Sequence, residues 1–123
     1  MPRKVLIVDD EPNIVVSLQF LMRRSGYSTS VARDGDEALA EVERFRPDLV
    51  LLDVMMPRRD GYEVCQTLRA DGWTDLKIVM LTAKGRETEV SRGLTVGADA
   101  YVTKPFATAD LVDTVNRLLG EGA

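Results

Sequence analysis

The 123-residue chain contains no histidine. That absence excludes Ser-His-Asp and Cys-His nucleophile chemistry and every histidine-ligated metal centre at once. Cysteine occurs once, at Cys65, so an intrachain disulfide and a thiolate zinc cluster are excluded as well, and a reducing, cytoplasmic setting is expected. Long hydrophobic runs are missing too. After Met1-Pro2-Arg3-Lys4 only four apolar residues precede Asp9, too few for a signal-peptide core, and no run approaches a membrane span. Nor is there a basic surplus: sixteen Lys and Arg against twenty Asp and Glu leave a formal charge of −4, which argues against direct nucleic-acid binding by this chain. Neither GxxxxGK[ST] nor GxGxxG occurs, so a bound nucleotide is not indicated.

What is present suits one soluble globular domain over residues 1–123, with 45% hydrophobic and 29% charged residues. Short apolar runs alternate with helix-period segments. Val5-Leu6-Ile7-Val8, Leu49-Val50-Leu51-Leu52 and Ile78-Val79-Met80-Leu81 are unbroken, as strands buried on both faces of a parallel sheet should be. The segment 27–31 alternates, with Tyr27, Thr29 and Val31 on one side, and Ala100-Tyr101-Val102 is short; both read as edge strands.

Helices are expected between these runs. Pro12 opens one and Gly26 ends it, with Ile14, Leu18, Leu21 and Met22 facing inward. Asp34-Gly35-Asp36 opens a second that Pro47 stops, and Asp60 with Glu63 has capping-box spacing ahead of Val64, Cys65 and Leu68. A weakly amphipathic fourth spans 87–96, and Thr108 is placed to cap a last one carrying Leu111, Val115, Leu118 and Leu119. Five strands and five helices in alternation predict a doubly wound α/β fold. The strand order 2-1-3-4-5 puts both edge-like strands at edges, and a ligand crevice should open where the order reverses, at the carboxyl ends of the first and third strands.

Four strand ends converge on that crevice, carrying Asp9-Asp10, Asp53, Thr82-Ala83 and Lys104-Pro105. Each has a purely structural reading: Asp10 before Glu11-Pro12 suits an N-cap, Thr82 a loop cap, Lys104 a solvated surface. Their convergence is what points to chemistry. Carboxylates ~5 Å apart repel by roughly 3 kcal/mol per pair at an effective dielectric near 20, so three of them call for a cation. Mg²⁺ takes hard oxygen ligands, and with Lys104 it balances the three negative charges. Such a site is fit to receive a phosphoryl group. Asp53, at the end of the central strand, is the best nucleophile, with Asp9 and Asp10 placed to hold metal and Thr82 able to bond a phosphoryl oxygen.

The motifs Val8-Asp9-Asp10-Glu11, Leu52-Asp53-Val54-Met55-Met56-Pro57, Asp60-Gly61, Leu81-Thr82-Ala83, Gly97-Ala98-Asp99-Ala100-Tyr101 and Thr103-Lys104-Pro105-Phe106, in this order, resemble those of the receiver domain of two-component response regulators. The likeness covers about residues 3–120. It implies that Asp53 is the phosphoacceptor, that Asp10 ligates Mg²⁺ directly and Asp9 mostly through water, and that the Met55 backbone carbonyl completes the set. It implies further that Thr82 and Lys104 contact the phosphoryl oxygens, that Tyr101 is the aromatic switch, and that the Lys104-Pro105 peptide is cis. The implied partners are a sensor histidine kinase or phosphotransfer protein and an output partner, with a phosphorylation-dependent dimer possible through the face made by segment 87–96, strand 100–102 and the last helix. Relatives that dimerise through this face often carry a second acid where Ala100 stands and a basic residue near Thr114, and their absence mildly weakens that dimer.

On this reading the chain is a switch that assists its own phosphorylation and dephosphorylation, and it has no separate turnover substrate. A phosphatase with an aspartyl intermediate is the rival, but Met55 stands where such enzymes usually have a second acid. A constitutive interaction module is disfavoured by the complete acid, Thr and Lys set. Cys65 reads as a packed thiol, Trp73 as a partner contact or a hydrophobic plug, and Arg58-Arg59 as solvated residues bordering the pocket.

Overall fold

The computed structural model describes residues 2–56, 59–83 and 97–120. Five strands, β1 (Lys4–Val8), β2 (Ser28–Ala32), β3 (Leu49–Asp53), β4 (Lys77–Ala83) and β5 (Ala100–Lys104), form one sheet of order β2-β1-β3-β4-β5. Every pairing in it is parallel. The four helices among the described residues are α1 (Pro12–Arg24), α2 (Gly35–Phe45), α3 (Gly61–Ala70) and α4 (Thr108–Leu119). The helix expected over 87–96 lies outside the described residues.

The unbroken apolar runs explain the layering. Successive residues of a strand face opposite sides, so Leu6, Val8, Val50, Leu52, Ile78 and Met80 pack under α2 and α3. Val5, Ile7, Leu49, Leu51, Val79 and Leu81 pack under α1 and α4. All twelve are buried. At roughly 1.5–3 kcal/mol for each large apolar side chain, these two cores outweigh any polar contact in holding the sheet between its helices.

The edge strands differ slightly from expectation. β2 runs one residue later than predicted, to Ala32, which turns into the α2–α3 core while Tyr27 and Val31 join the other. β5 runs two residues further than predicted, because Thr103 and Lys104 stay in register with Thr82 and Ala83. That extension carries Lys104 to the crevice.

Local signals set the helix starts. Asp34 and Asp60 each accept a hydrogen bond from the backbone N–H three residues on, at 2.8 and 2.9 Å, and so cap α2 and α3. α2 ends on Arg46 in the left-handed conformation (φ 52°), immediately before Pro47. Two capping expectations are corrected. Glu11 rather than Asp10 is the boundary residue of α1, and its N–H donates to Asp9 Oδ1 at 3.0 Å. Thr108 lies inside the first turn of α4, since the extended residue before it is Ala107, which has no side chain to cap with.

Candidate functional site

Asp53 is the last residue of β3 and Asp9 the first after β1. Both are buried, whereas the neighbouring Asp10 is exposed. One carboxylate oxygen from each of the three lies within 4.8 Å of the others. Lys104, last in β5, places its Nζ 3.0 Å from Asp9 Oδ2 and 3.3 Å from Asp53 Oδ1. It does so from a cis peptide to Pro105, as the resemblance implied. The three acids and the lysine therefore meet at the carboxyl ends of β1, β3 and β5, where the reversal of strand order opens the sheet.

The electrostatics follow from that crowding. Burial, and then the charge of Asp9, push the Asp53 carboxyl up to about 6, with Lys104 and the Met55 N–H pulling the other way. For Lys104 burial opposes the charge. Its bond to Asp9 and the charges of Asp53 and Asp9 outweigh that, and they hold the ammonium above the usual lysine range. Asp53 Oδ1 also accepts the Met55 N–H at 3.4 Å, while the Met55 side chain stands 61% exposed beside it.

The backbone leaving Asp53 is tightly held. Val54 N–H donates to the Leu81 carbonyl at 3.0 Å, and Gly61 N–H donates to the Val54 carbonyl at 2.9 Å. A Cβ at Gly61 would lie 2.5 Å from the Asp53 carbonyl oxygen, so only glycine lets α3 start this close to the acid. Thr82 is buried one position beyond Leu81, the register partner of Asp53. Tyr101 pairs in register with Met80. By the two-residue alternation it shares the α2–α3 face of the sheet with Met80 and Thr82, and its ring packs against that core.

Two contacts were not visible in the residue pattern. Tyr62 and Tyr101 are joined hydroxyl to hydroxyl at 2.6 Å. The signal for it is the i, i+3 spacing of Tyr62 with Cys65, which puts a phenol on the buried face of α3, and a buried phenol calls for a polar partner. Arg59 pairs with Asp36 of α2 at 2.7 Å. Arg59 is exposed, as expected of a solvated residue, and the ion pair is what the sequence did not show; Arg58 lies outside the described residues. Cys65 is a packed thiol as expected, and burial pushes it up to about 11. Trp73 leans on the α2–α3 core with the Arg46 guanidinium 5.5 Å over its ring, which favours the plug reading.

The response regulator receiver domain family matches residues 5–116. The chain is 47% identical over 119 residues to the alkaline phosphatase synthesis transcriptional regulatory protein PhoP of Bacillus subtilis, covering 97% of this chain and 49% of that protein. It is 46% identical over 119 residues to the DNA-binding response regulator MtrA of Mycolicibacterium smegmatis, covering 97% and 51%. It thus spans about half the length of these curated relatives. Among solved structures, the Francisella response regulator 1452 receiver domain superposes with a TM-score of 0.90 at 33% identity, over 96% of this chain and 97% of that one. The Vibrio cholerae chemotaxis protein CheY4 gives the same TM-score and identity, over 96% and 99%. Sequence, fold and relatives agree: this chain belongs to the receiver domain family of two-component response regulators.

Proposed function

We propose that the chain is a phosphorylation-operated switch whose phosphoacceptor is Asp53. The observation that carries this reading is the cluster of Asp9, Asp10 and Asp53 within 4.8 Å, with the Lys104 ammonium bonded to two of the three. Three hard oxygen donors this close, two of them buried, fit Mg²⁺ by charge and ligand type. Asp10, Asp53 and the Met55 carbonyl would hold the ion, with Asp9 acting largely through water. When bound, Mg²⁺ offsets the carboxylate charges and those of a transferring phosphoryl group.

The chain's own residues do the rest. An ionised Asp53 oxygen attacks phosphorus, and the new O–P bond forms as the N–P bond of a phosphohistidine on a partner kinase or phosphotransfer protein breaks. The electron pair of that bond stays on the imidazole nitrogen. Lys104 neutralises charge on the transferring oxygens, and the Thr82 hydroxyl donates to one of them. Phosphorylation replaces one negative charge on Asp53 with about two and adds strong acceptors. Thr82 is drawn toward it, Tyr101 settles inward, and the face around β5 and α4 changes for an output partner to read.

The test is amide spectra of the protein with Mg²⁺ and beryllofluoride, a phosphoryl mimic, against each reagent alone. Mg²⁺ alone should shift amides around Asp9, Asp10 and Asp53, whereas shifts at Thr82 and Lys104 and along β5 are expected only with both reagents. Unchanged spectra with both would remove the reading. Sizing of the same samples shows whether the altered face pairs two copies. Multiple turnover on small phosphate esters would favour the phosphatase instead.

A further inference from the structure

We propose that Tyr62 is a positioning residue for Tyr101: its hydroxyl holds the Tyr101 ring in the inward place before any phosphate arrives, and so sets the resting balance of the switch. The inference rests on Tyr101 being the switch residue. Three observations carry it. The two hydroxyl oxygens are 2.6 Å apart, 39 residues apart in sequence, and bridge α3 to β5. Tyr62 is buried, 3% exposed, so its ring is fixed by packing in the α2–α3 core and offers its hydroxyl from a set position. Its neighbour Gly61 starts α3 directly against the Asp53 carbonyl, with no room for a Cβ, and bonds to the Val54 carbonyl. Tyr62 therefore rides on the backbone of the acid-bearing loop. The bond ties that loop to β5 by a route separate from Thr82.

A neutral hydrogen bond between side chains shifts a two-state balance by roughly 2–10-fold. Tyr62→Phe keeps the ring and its packing and removes only the hydroxyl. The expected result is a 2–10-fold fall in the inward-to-outward ratio of Tyr101. The ratio would be read from the ring resonances of isotope-labelled tyrosine in protein free of Mg²⁺ and beryllofluoride. The beryllofluoride concentration giving half saturation in Mg²⁺ should rise, because less of the receptive state is populated. Tyr101→Phe removes the same bond from the other side. The double variant should therefore match either single variant in half saturation, whereas two independent structural effects would add.

Unmoved Tyr101 resonances in Tyr62→Phe, or additive effects in the double variant, would overturn the proposal. A wild-type protein that ignores beryllofluoride would refute the Asp53 reading, and the ring resonances of the metal-free protein would still decide the hydroxyl pair.

Discussion

Replacing Asp53 by Asn in metal-free protein should make the fold more stable, although it removes the group on which the proposed function depends. The carboxyl is buried, shares its end of the sheet with Asp9 and Asp10 within 4.8 Å, and is pushed from 3.8 to about 6. Below about pH 4 it is protonated in both the folded and the unfolded chain and costs nothing. As pH rises from 4 through 6 the unfolded chain ionises freely while the folded one resists, so stability falls over that window and stays lower above it. A shift of about two units corresponds to about 3 kcal/mol. The repulsion of one carboxylate pair at this spacing, roughly 3 kcal/mol at an effective dielectric near 20, is of the same size. Asp53→Asn removes that penalty and leaves Lys104 its 3.0 Å partner on Asp9. Urea unfolding in a chelator should find the variant about 2–3 kcal/mol more stable at pH 7, with the gap closing toward pH 4. A variant of equal or lower stability at pH 7, or a gap independent of pH, would show that burying the Asp53 charge beside Asp9 carries no penalty.

Three further outcomes are expected. Gly61→Ala puts a Cβ 2.5 Å from the Asp53 carbonyl oxygen, so the loop must shift; about 1–3 kcal/mol of stability and most of the rate of phosphoryl uptake should be lost, and wild-type kinetics in this variant would contradict the close approach. Glu41 is held down at about 2 by its bonds to Arg44 and then Ser30, so it contributes stability above pH 4.5 that disappears as pH falls through 2. Because Arg44 is largely exposed, Glu41→Gln should cost only about 0.5–1 kcal/mol at pH 7 by thermal unfolding and less at pH 2. Met55, exposed beside Asp53, has no group to orient an attacking water; Met55→Asn should shorten the phosphoryl lifetime, and equal decay rates would sink the idea.

The layers and the strand order were legible because they depend on apolar continuity. Runs such as 49–52 exclude a water-facing side, and the alternation in 27–31 allows one. The crevice followed from the strand order, and its acids and lysine are where those runs end. Contacts between polar tips were not legible. Periodicity says that Tyr62 faces inward but not that its hydroxyl meets Tyr101. It says that Arg59 is in a loop but not that Asp36 draws it to α2. Thr108 has capping chemistry, yet the chain enters α4 one residue earlier, at Ala107, because backbone conformation and not side-chain type sets the boundary. Adjacency in sequence does not tell Asp9 from Asp10, whereas the fold buries Asp9 completely, gives one of its oxygens to the Glu11 N–H and leaves Asp10 exposed.

The central claim is that Asp53 takes the phosphate. Intact-mass measurement after incubation with a small acyl phosphate and Mg²⁺ tests it most directly. The account predicts one added phosphoryl group per chain, absent without Mg²⁺ and absent in Asp53→Asn. Undiminished labelling of Asp53→Asn, or none in the wild-type protein, would contradict it.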